Sequence, residues 1–189
     1  ISVTGVQTWA LPISNMHLFK NPQVDVAKAL QIASTLNRQP TMLVVHPDKP
    51  WKTPGELAAA MKAKGDKASY AISNTVGKVM GAMYKKQAAL TAVEVSYKAT
   101  TDTYNDLQSG AVDFAFQDNI SAVAQARNGK LRILGVSTAA RLQAAPEYPT
   151  MAEQGYPMDM IGWWAAFVPM ATPRPVVRSE EHTSELQSH

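Results

Sequence analysis

The chain has 189 residues, 46% of them hydrophobic, with 18 basic and 15 acidic side chains and no cysteine. That allows one domain or two small ones with a packed core, and it excludes a disulfide scaffold without fixing the redox compartment. The longest apolar stretches fall far short of the roughly 20 residues of a membrane span, the composition is that of a globular protein, and no basic run interleaved with aromatics points to nucleic acid.

The two ends stand apart. Ile1–Ser14 has no basic stretch followed by an apolar run, so it does not read as a secretory signal. Arg178–His189 back-translates into a DNA string that resembles a short-read sequencing-library adapter. The reverse complement of that string reads Val-Thr-Gly-Val-Gln-Thr-Cys-Ala-Leu-Pro-Ile, and the chain carries this run from Val3 to Ile13 with Trp9 in place of the cysteine. Residues 1–14 and 178–189 are therefore expected to be translated artefact and are set aside from fold reasoning. The remainder holds 17 basic and 12 acidic residues, a balance of +5 that suits an anionic ligand, while Lys62, Lys64, Lys67, Lys85 and Lys86 read as a solvated face.

Asn15–Gln39 is assigned, with residues 141–177, to a partial domain. Met42-Leu-Val-Val45 reads as a buried strand before His46-Pro47. Thr53-Pro-Gly-Glu56 then opens a helix: Thr53 caps, Pro54 occupies the first helical position, and Glu56 completes a capping box. Leu57, Ala60, Met61 and Ala63 supply its inward face, and Gly65 stops it. Tyr70–Ile72 is a strand, followed by Ser73-Asn-Thr75 and a helix with Val76, Met80, Met83 and Tyr84 at helical spacing. Val93–Tyr97 alternates as a strand, a helix follows from about Thr103 to Gly110, and Val112–Phe116 is the next strand. Gln117-Asp-Asn119 leads into a helix from Ser121 to about Asn128, and Ile133–Val136 is a strand ending at Ser137-Thr138. Strands separated by single helices predict a parallel, doubly wound α/β sheet, with Pro40–Ala140 as one complete domain. Beyond it, Thr150-Met-Ala-Glu153 is a second capping box, Trp163–Val168 a strand whose two tryptophans point to opposite faces, and Ala171–Pro175 the start of a helix.

In an open parallel sheet ligands bind at the carboxyl ends of the strands. Four such ends are Ser73-Asn74-Thr75, Lys98-Ala99-Thr100-Thr101, Gln117-Asp118-Asn119 and Ser137-Thr138, and the first three run into helix N-termini, which favour an anion. Each loop alone is what a helix cap requires; their convergence on one rim supports a binding site. Asp118 either receives a ligand ammonium or hydroxyl or caps the helix at Ser121. His46 and His17 have no partners at metal-ligand spacing, Met80 and Met83 read as core, and Asp102 and Asp106 as a solvated pair. No nucleophile-and-base motif, phosphate loop or C-x-x-C is present, which argues against an enzyme and supplies no catalytic residue, metal site or cofactor.

Leu43-Val-Val-His-Pro47, Lys52-Thr-Pro-Gly-Glu-Leu57, Tyr70-Ala-Ile-Ser-Asn-Thr75, Tyr97-Lys98, Asp106-Leu-Gln-Ser-Gly-Ala-Val-Asp113, Gly129-Lys-Leu-Arg-Ile-Leu-Gly-Val136, Pro149-Thr-Met-Ala-Glu-Gln-Gly155 and Gly162-Trp-Trp-Ala-Ala-Phe-Val-Pro169 with Ala171-Thr-Pro173 follow one another in order. Together they resemble the substrate-binding proteins of tripartite tricarboxylate transporters, the Bug family, over essentially all of 15–177. The resemblance implies a periplasmic-binding-protein type II-like fold of two doubly wound lobes, here one complete and one partial. It also implies a periplasmic monomer that captures a small organic di- or tricarboxylate for membrane transporter subunits. On that pattern Ser73, Asn74, Thr75, Gly77, Tyr97, Lys98, Ala99, Thr100, Asp118 and Asn119 form one wall of the cleft. The chain departs from the pattern in lacking the glycine-rich loop after the first strand, in Ile72, Asn74 and Val76 where glycines are usual, and in Ala99 where the family has glycine. The other readings are the effector domain of a transcription regulator, or an enzyme on a similar scaffold.

Overall fold

Caps and apolar runs place the elements. In the computed structural model, residues 26–173 with Pro175 and Val177 are described. They comprise α1 (Val26–Ala29), β1 (Leu30–Val45), α2 (Pro54–Lys64), β2 (Ser69–Ile72), α3 (Thr75–Gln87), β3 (Val93–Ser96), α4 (Thr100–Ser109), β4 (Phe114–Asp118), α5 (Asn119–Arg127), β5 (Arg132–Val136) and β6 (Ile161–Pro169). Short 3₁₀ turns follow α2 and precede Gly155. The chain divides into a unit Gln39–Gly162 and a second unit built from residues on either side of it.

The capping box at Thr53 forms as expected, with Thr53 Oγ1 accepting from Glu56 N at 3.1 Å. The box at Thr150 closes in both directions, Glu153 N to Thr150 Oγ1 at 3.0 Å and Thr150 N to Glu153 Oε2 at 2.6 Å. Inward on α2 are Pro54, Leu57, Ala58 and Met61, so Ala58 takes the place expected for Ala63, which is exposed. Met80 is buried and Met83 half-buried against the core, as their spacing predicts.

Within Gln39–Gly162 the strand order is β3-β2-β4-β1-β5. β2 is parallel to β3 and β4, but β1 is antiparallel to both β4 and β5. The sheet is therefore mixed, which corrects the all-parallel expectation: Met42–Val45 runs against the strands on either side of it. A strand covered on both faces is a continuous apolar run in either direction, so periodicity carries no sign of polarity.

The domain expected to end at Ala140 continues to Gly162. Val136 N donates to Pro149 O at 3.0 Å and Met151 N to Val136 O at 2.8 Å, and Met151 and Met158 are buried in the core beside Leu134 and Tyr84. Lys64, expected to be solvated, is an ion-pair partner, its Nζ 2.7 Å from the buried carboxylate of Asp113, which also accepts from Ser69 N. In the second unit β6 pairs with β1, and Gln31 Nε2 donates to the carbonyl of Thr172 at 2.9 Å. The side chains of Trp163 and Trp164, His17 and both end segments lie outside the described residues. No helix among the described residues is long and apolar enough to cross a membrane.

Candidate functional site

Because β2, β3, β4 and β5 all point the same way, their carboxyl ends share one edge of the sheet. All ten candidate residues lie there: Ser73, Asn74, Thr75 and Gly77 after β2, Tyr97, Lys98, Ala99 and Thr100 after β3, and Asp118 and Asn119 where β4 meets α5. Three helices, α3, α4 and α5, begin at this edge, and how each beginning is capped separates the residues that build the site from those left free in it.

Asn74 and Asp118 are spent on their own helices. Asn74 Oδ1 accepts from Gly77 N at 2.7 Å, and Asp118 Oδ1 accepts from Ser121 N at 2.8 Å. Of the two readings of Asp118, the structure shows the cap. Gly77 is where α3 approaches β4; a Cβ there would lie 3.1 Å from the carbonyl oxygen of Phe116. Tyr97 is also committed, its hydroxyl donating to Asp106 Oδ2 at 2.6 Å. Asp106 is thus part of a side-chain bond and not a free partner of Asp102.

α4 differs. Its N-cap is Ala99, which has no side-chain bond to offer, so the first-turn N–H groups have no cap. Around this terminus stand Lys98, exposed, and the hydroxyls of Ser73 and Thr100, 3.3 Å apart. Asp102 is exposed in the same turn. The arrangement offers donors and helix-dipole potential to an anion.

Beneath the rim the side chains are buried. Thr103 and Gln117 are 0% exposed, and Thr103 Oγ1, both polar ends of Gln117 and Asn119 Oδ1 have no hydrogen-bond partner. Burial, with the Asp118 charge second, pushes the Tyr104 hydroxyl up to about 12, the Ser121 side chain working the other way. Burial and the bond to Asp106 push Tyr97 up to about 12 as well, with the charges of Asp106 and Asp102 adding to it. Both tyrosines therefore remain neutral donors at physiological pH. Ser137, expected on this edge, is buried and occupied: its hydroxyl accepts from Thr41 N at 3.0 Å and donates to Met160 O at 2.8 Å.

Sequence reasoning gave no site role to Thr103, Tyr104 or Ile120, though it began a helix at about Thr103 with Tyr104 inward. Ile120 is 63% exposed beside Asn119, an apolar surface at the polar rim. An isoleucine at the second position of a helix, next to a cap, is the signal that was there to read. His46 has a structural role, its Nδ1 accepting from Asp48 N at 3.1 Å. No group of three or more metal-ligating side chains occurs among the described residues.

The model of the tripartite tricarboxylate transporter family receptor matches residues 5–187, running into both end segments. The chain is 30% identical over 176 residues to a UPF0065 protein of Bordetella pertussis, covering 91% of this chain and 54% of that protein. It thus spans about half the length of the curated relative it matches. Among solved structures, Rpa4515 of R. palustris with adipate superposes with a TM-score of 0.82 at 23% identity, covering 88% of this chain and 56% of the other. MatC of Rhodopseudomonas palustris with bound malate also gives 0.82, at 22% identity, covering 92% and 60%. These two likenesses show the fold, an α/β fold shared with more than half of each of those chains, and the family match shows the kind of protein. The family's receptors are periplasmic solute-binding proteins and not enzymes. The chain belongs to the tripartite tricarboxylate transporter receptor family.

Proposed function

We propose that this chain is part of a periplasmic receptor that captures a small organic di- or tricarboxylate and passes it unchanged to the membrane subunits of its transporter. It works as a monomer, with no cofactor and no nucleic-acid partner. The observation that supports the reading is the contrast between three helix starts on one edge: α3 and α5 are capped by the side chains of Asn74 and Asp118, whereas α4 has no side-chain cap. A carboxylate seated there accepts from the first-turn N–H groups of α4 and from the Ser73 and Thr100 hydroxyls, with Lys98 alongside. Thr75 and Asn119 extend the polar wall, the Gly77, Ala99 and Tyr97 backbone shapes it, and Ile120 offers an apolar surface to the ligand's methylene groups. The malate and adipate held by the two structural relatives are ligands of this chemistry.

The test is a thermal-shift and calorimetric titration with malate, adipate and citrate at pH 7, paired with NMR of the ligand. Saturating ligand at about 100 times Kd stabilises by roughly 2.7 kcal/mol, and the ligand is recovered intact. Absence of a shift with all three acids, or conversion of any of them, overturns the proposal.

A further inference from the structure

An unpartnered primary amide inside a protein says something about what completes it. Gln117 is directly opposite Met42 in the antiparallel pairing of β4 with β1, so both side chains lie on the same face of the sheet. Met42 belongs to the core cluster that holds Leu107 of α4 and Ala122 of α5, so the Gln117 amide lies in the layer covered by these two helices. Thr103, in the first turns of α4 and 0% exposed, faces into the same layer. Neither Gln117 Oε1 nor Nε2 has a partner, and neither does Thr103 Oγ1. Leaving such groups unmade costs roughly 1–3 kcal/mol each, so an apolar residue of the same shape would make a more stable fold.

We propose that Gln117 and Thr103 are specificity-determining residues that make this receptor prefer a carboxylate that also bears a hydroxyl. The inference rests on the carboxylate-receptor reading above and narrows its substrate class. A carboxylate only accepts hydrogen bonds, so it completes Gln117 Nε2 and leaves Oε1 bare. An alcohol donates and accepts, and completes both ends of the amide with Thr103 beside it. Gln117 is one residue inside the rim, immediately before the capping Asp118, on β4, which with β2 is one of the two strands that α4 packs over. A ligand whose carboxylate sits on the α4 terminus therefore directs a hydroxyl on the adjacent carbon inward, between the starts of α4 and α5.

The test compares malate with succinate, which share a carbon skeleton and two carboxylates and differ by one hydroxyl, by calorimetry on the wild-type chain, Gln117→Met and Thr103→Val. A pocket that hydrogen-bonds a hydroxyl discriminates strongly against the analogue that lacks it. Here a preference for malate of about ten-fold or more is expected in the wild type, falling below about three-fold in Gln117→Met. Succinate affinity stays within about two-fold in that variant, and its melting temperature without ligand is equal to or above that of the wild type. Thr103→Val, nearly isosteric, gives the same readout if the methionine variant folds poorly. Equal wild-type affinity for the two acids, or a malate preference retained in both variants, overturns the inference while leaving the receptor reading intact. A wild type that binds neither acid nor any other carboxylate removes both.

Discussion

The two faces of the sheet in the unit Gln39–Gly162 carry cores of opposite character. On one, Tyr70, Tyr84, Phe114 and Phe116 are buried with Leu43, Leu57, Met61, Met80 and Met151. Tyr70 stacks on Phe114 with ring centres 5.4 Å apart, and Tyr84 meets Phe114 edge-on at 5.6 Å. The polar tips here are paired, Tyr84 to Pro54 O at 2.5 Å and Tyr70 to Glu94 at 2.8 Å. Gly81 is the clearance for this packing, since a Cβ there would come within 2.3 Å of the Tyr70 ring. The other face is filled by Met42, Val44, Ala71, Leu107, Ala115, Ala122 and Val136, with no fully buried aromatic ring. Every buried side-chain oxygen or nitrogen without a partner among the described residues lies between Thr103 and Gln125, in the elements that cover or end this face. Paired aromatics hold one side firm, and unpaired amides and hydroxyls are kept on the side where helices open toward the rim. On the function proposed, stability and recognition fall on different faces of one sheet.

The sharpest way to break that division is Phe114→Ala. Phe114 is 0% exposed and contacts both Tyr70 and Tyr84, so truncation should cost about 3–5 kcal/mol in urea unfolding. Carboxylate affinity, measured where the variant is still folded, should stay within about two-fold, because the residue is on the face away from α4. A loss below about 1 kcal/mol, or a collapse of binding in the folded variant, would show that the faces are not separate in function.

A smaller effect separates the tyrosine of the aromatic face from those on the other face. Burial raises the Tyr84 hydroxyl far above its ordinary range, with Tyr156 adding to it, and Tyr97 and Tyr104 are pushed up to about 12. In the unfolded chain all three ionise near 10. The folded form therefore holds more protons between those values, and stability, level below about pH 10, falls as pH rises toward 12. Tyr84→Phe should cost about 1 kcal/mol at pH 7 by orphaning the Pro54 carbonyl, and its stability should fall less steeply above pH 10 than that of the wild type. Parallel alkaline slopes would mean that Tyr84 is not the proton-holding group assumed here.

How much of this was visible in the sequence follows the physics of each feature. Local signals were legible: Thr53 with Glu56 and Thr150 with Glu153 are caps written into four residues, and Gly65, expected to stop its helix, has positive φ, as do Gly110, Gly129 and Gly155 just past later helical turns. The edge of the sheet that gathers Ser73, Thr100 and Asp118 was legible too, because strand-to-helix order alone fixes it. The direction of β1 was not, since Met42–Val45 is buried on both faces. Nor was the attachment of residues 141–162, which depends on Met151, Tyr156 and Met158 scattered through irregular chain. Gln117 was read as part of a polar strand end; that it is fully buried depends on packing by α4 and on pairing with β1, contacts no local pattern encodes.

The finest test of the comparison concerns charge at the rim itself. Asp102 is exposed in the first turn of α4, where a carboxylate is favourable to the helix dipole by about 0.3–1 kcal/mol. The same charge repels an anion seated on that terminus. Asp102→Asn should therefore move two measurements in opposite directions: the unligated protein loses a few tenths of a kcal/mol, while malate binds about two- to five-fold more tightly at low salt. The gain should shrink as ionic strength rises, because exposed charges are screened over roughly 10 Å at 0.1 M salt. A residue that only stabilised its helix would lower stability and leave affinity unchanged. If affinity instead falls with stability, Asp102 is itself engaged with the ligand and the α4 terminus is not the carboxylate seat.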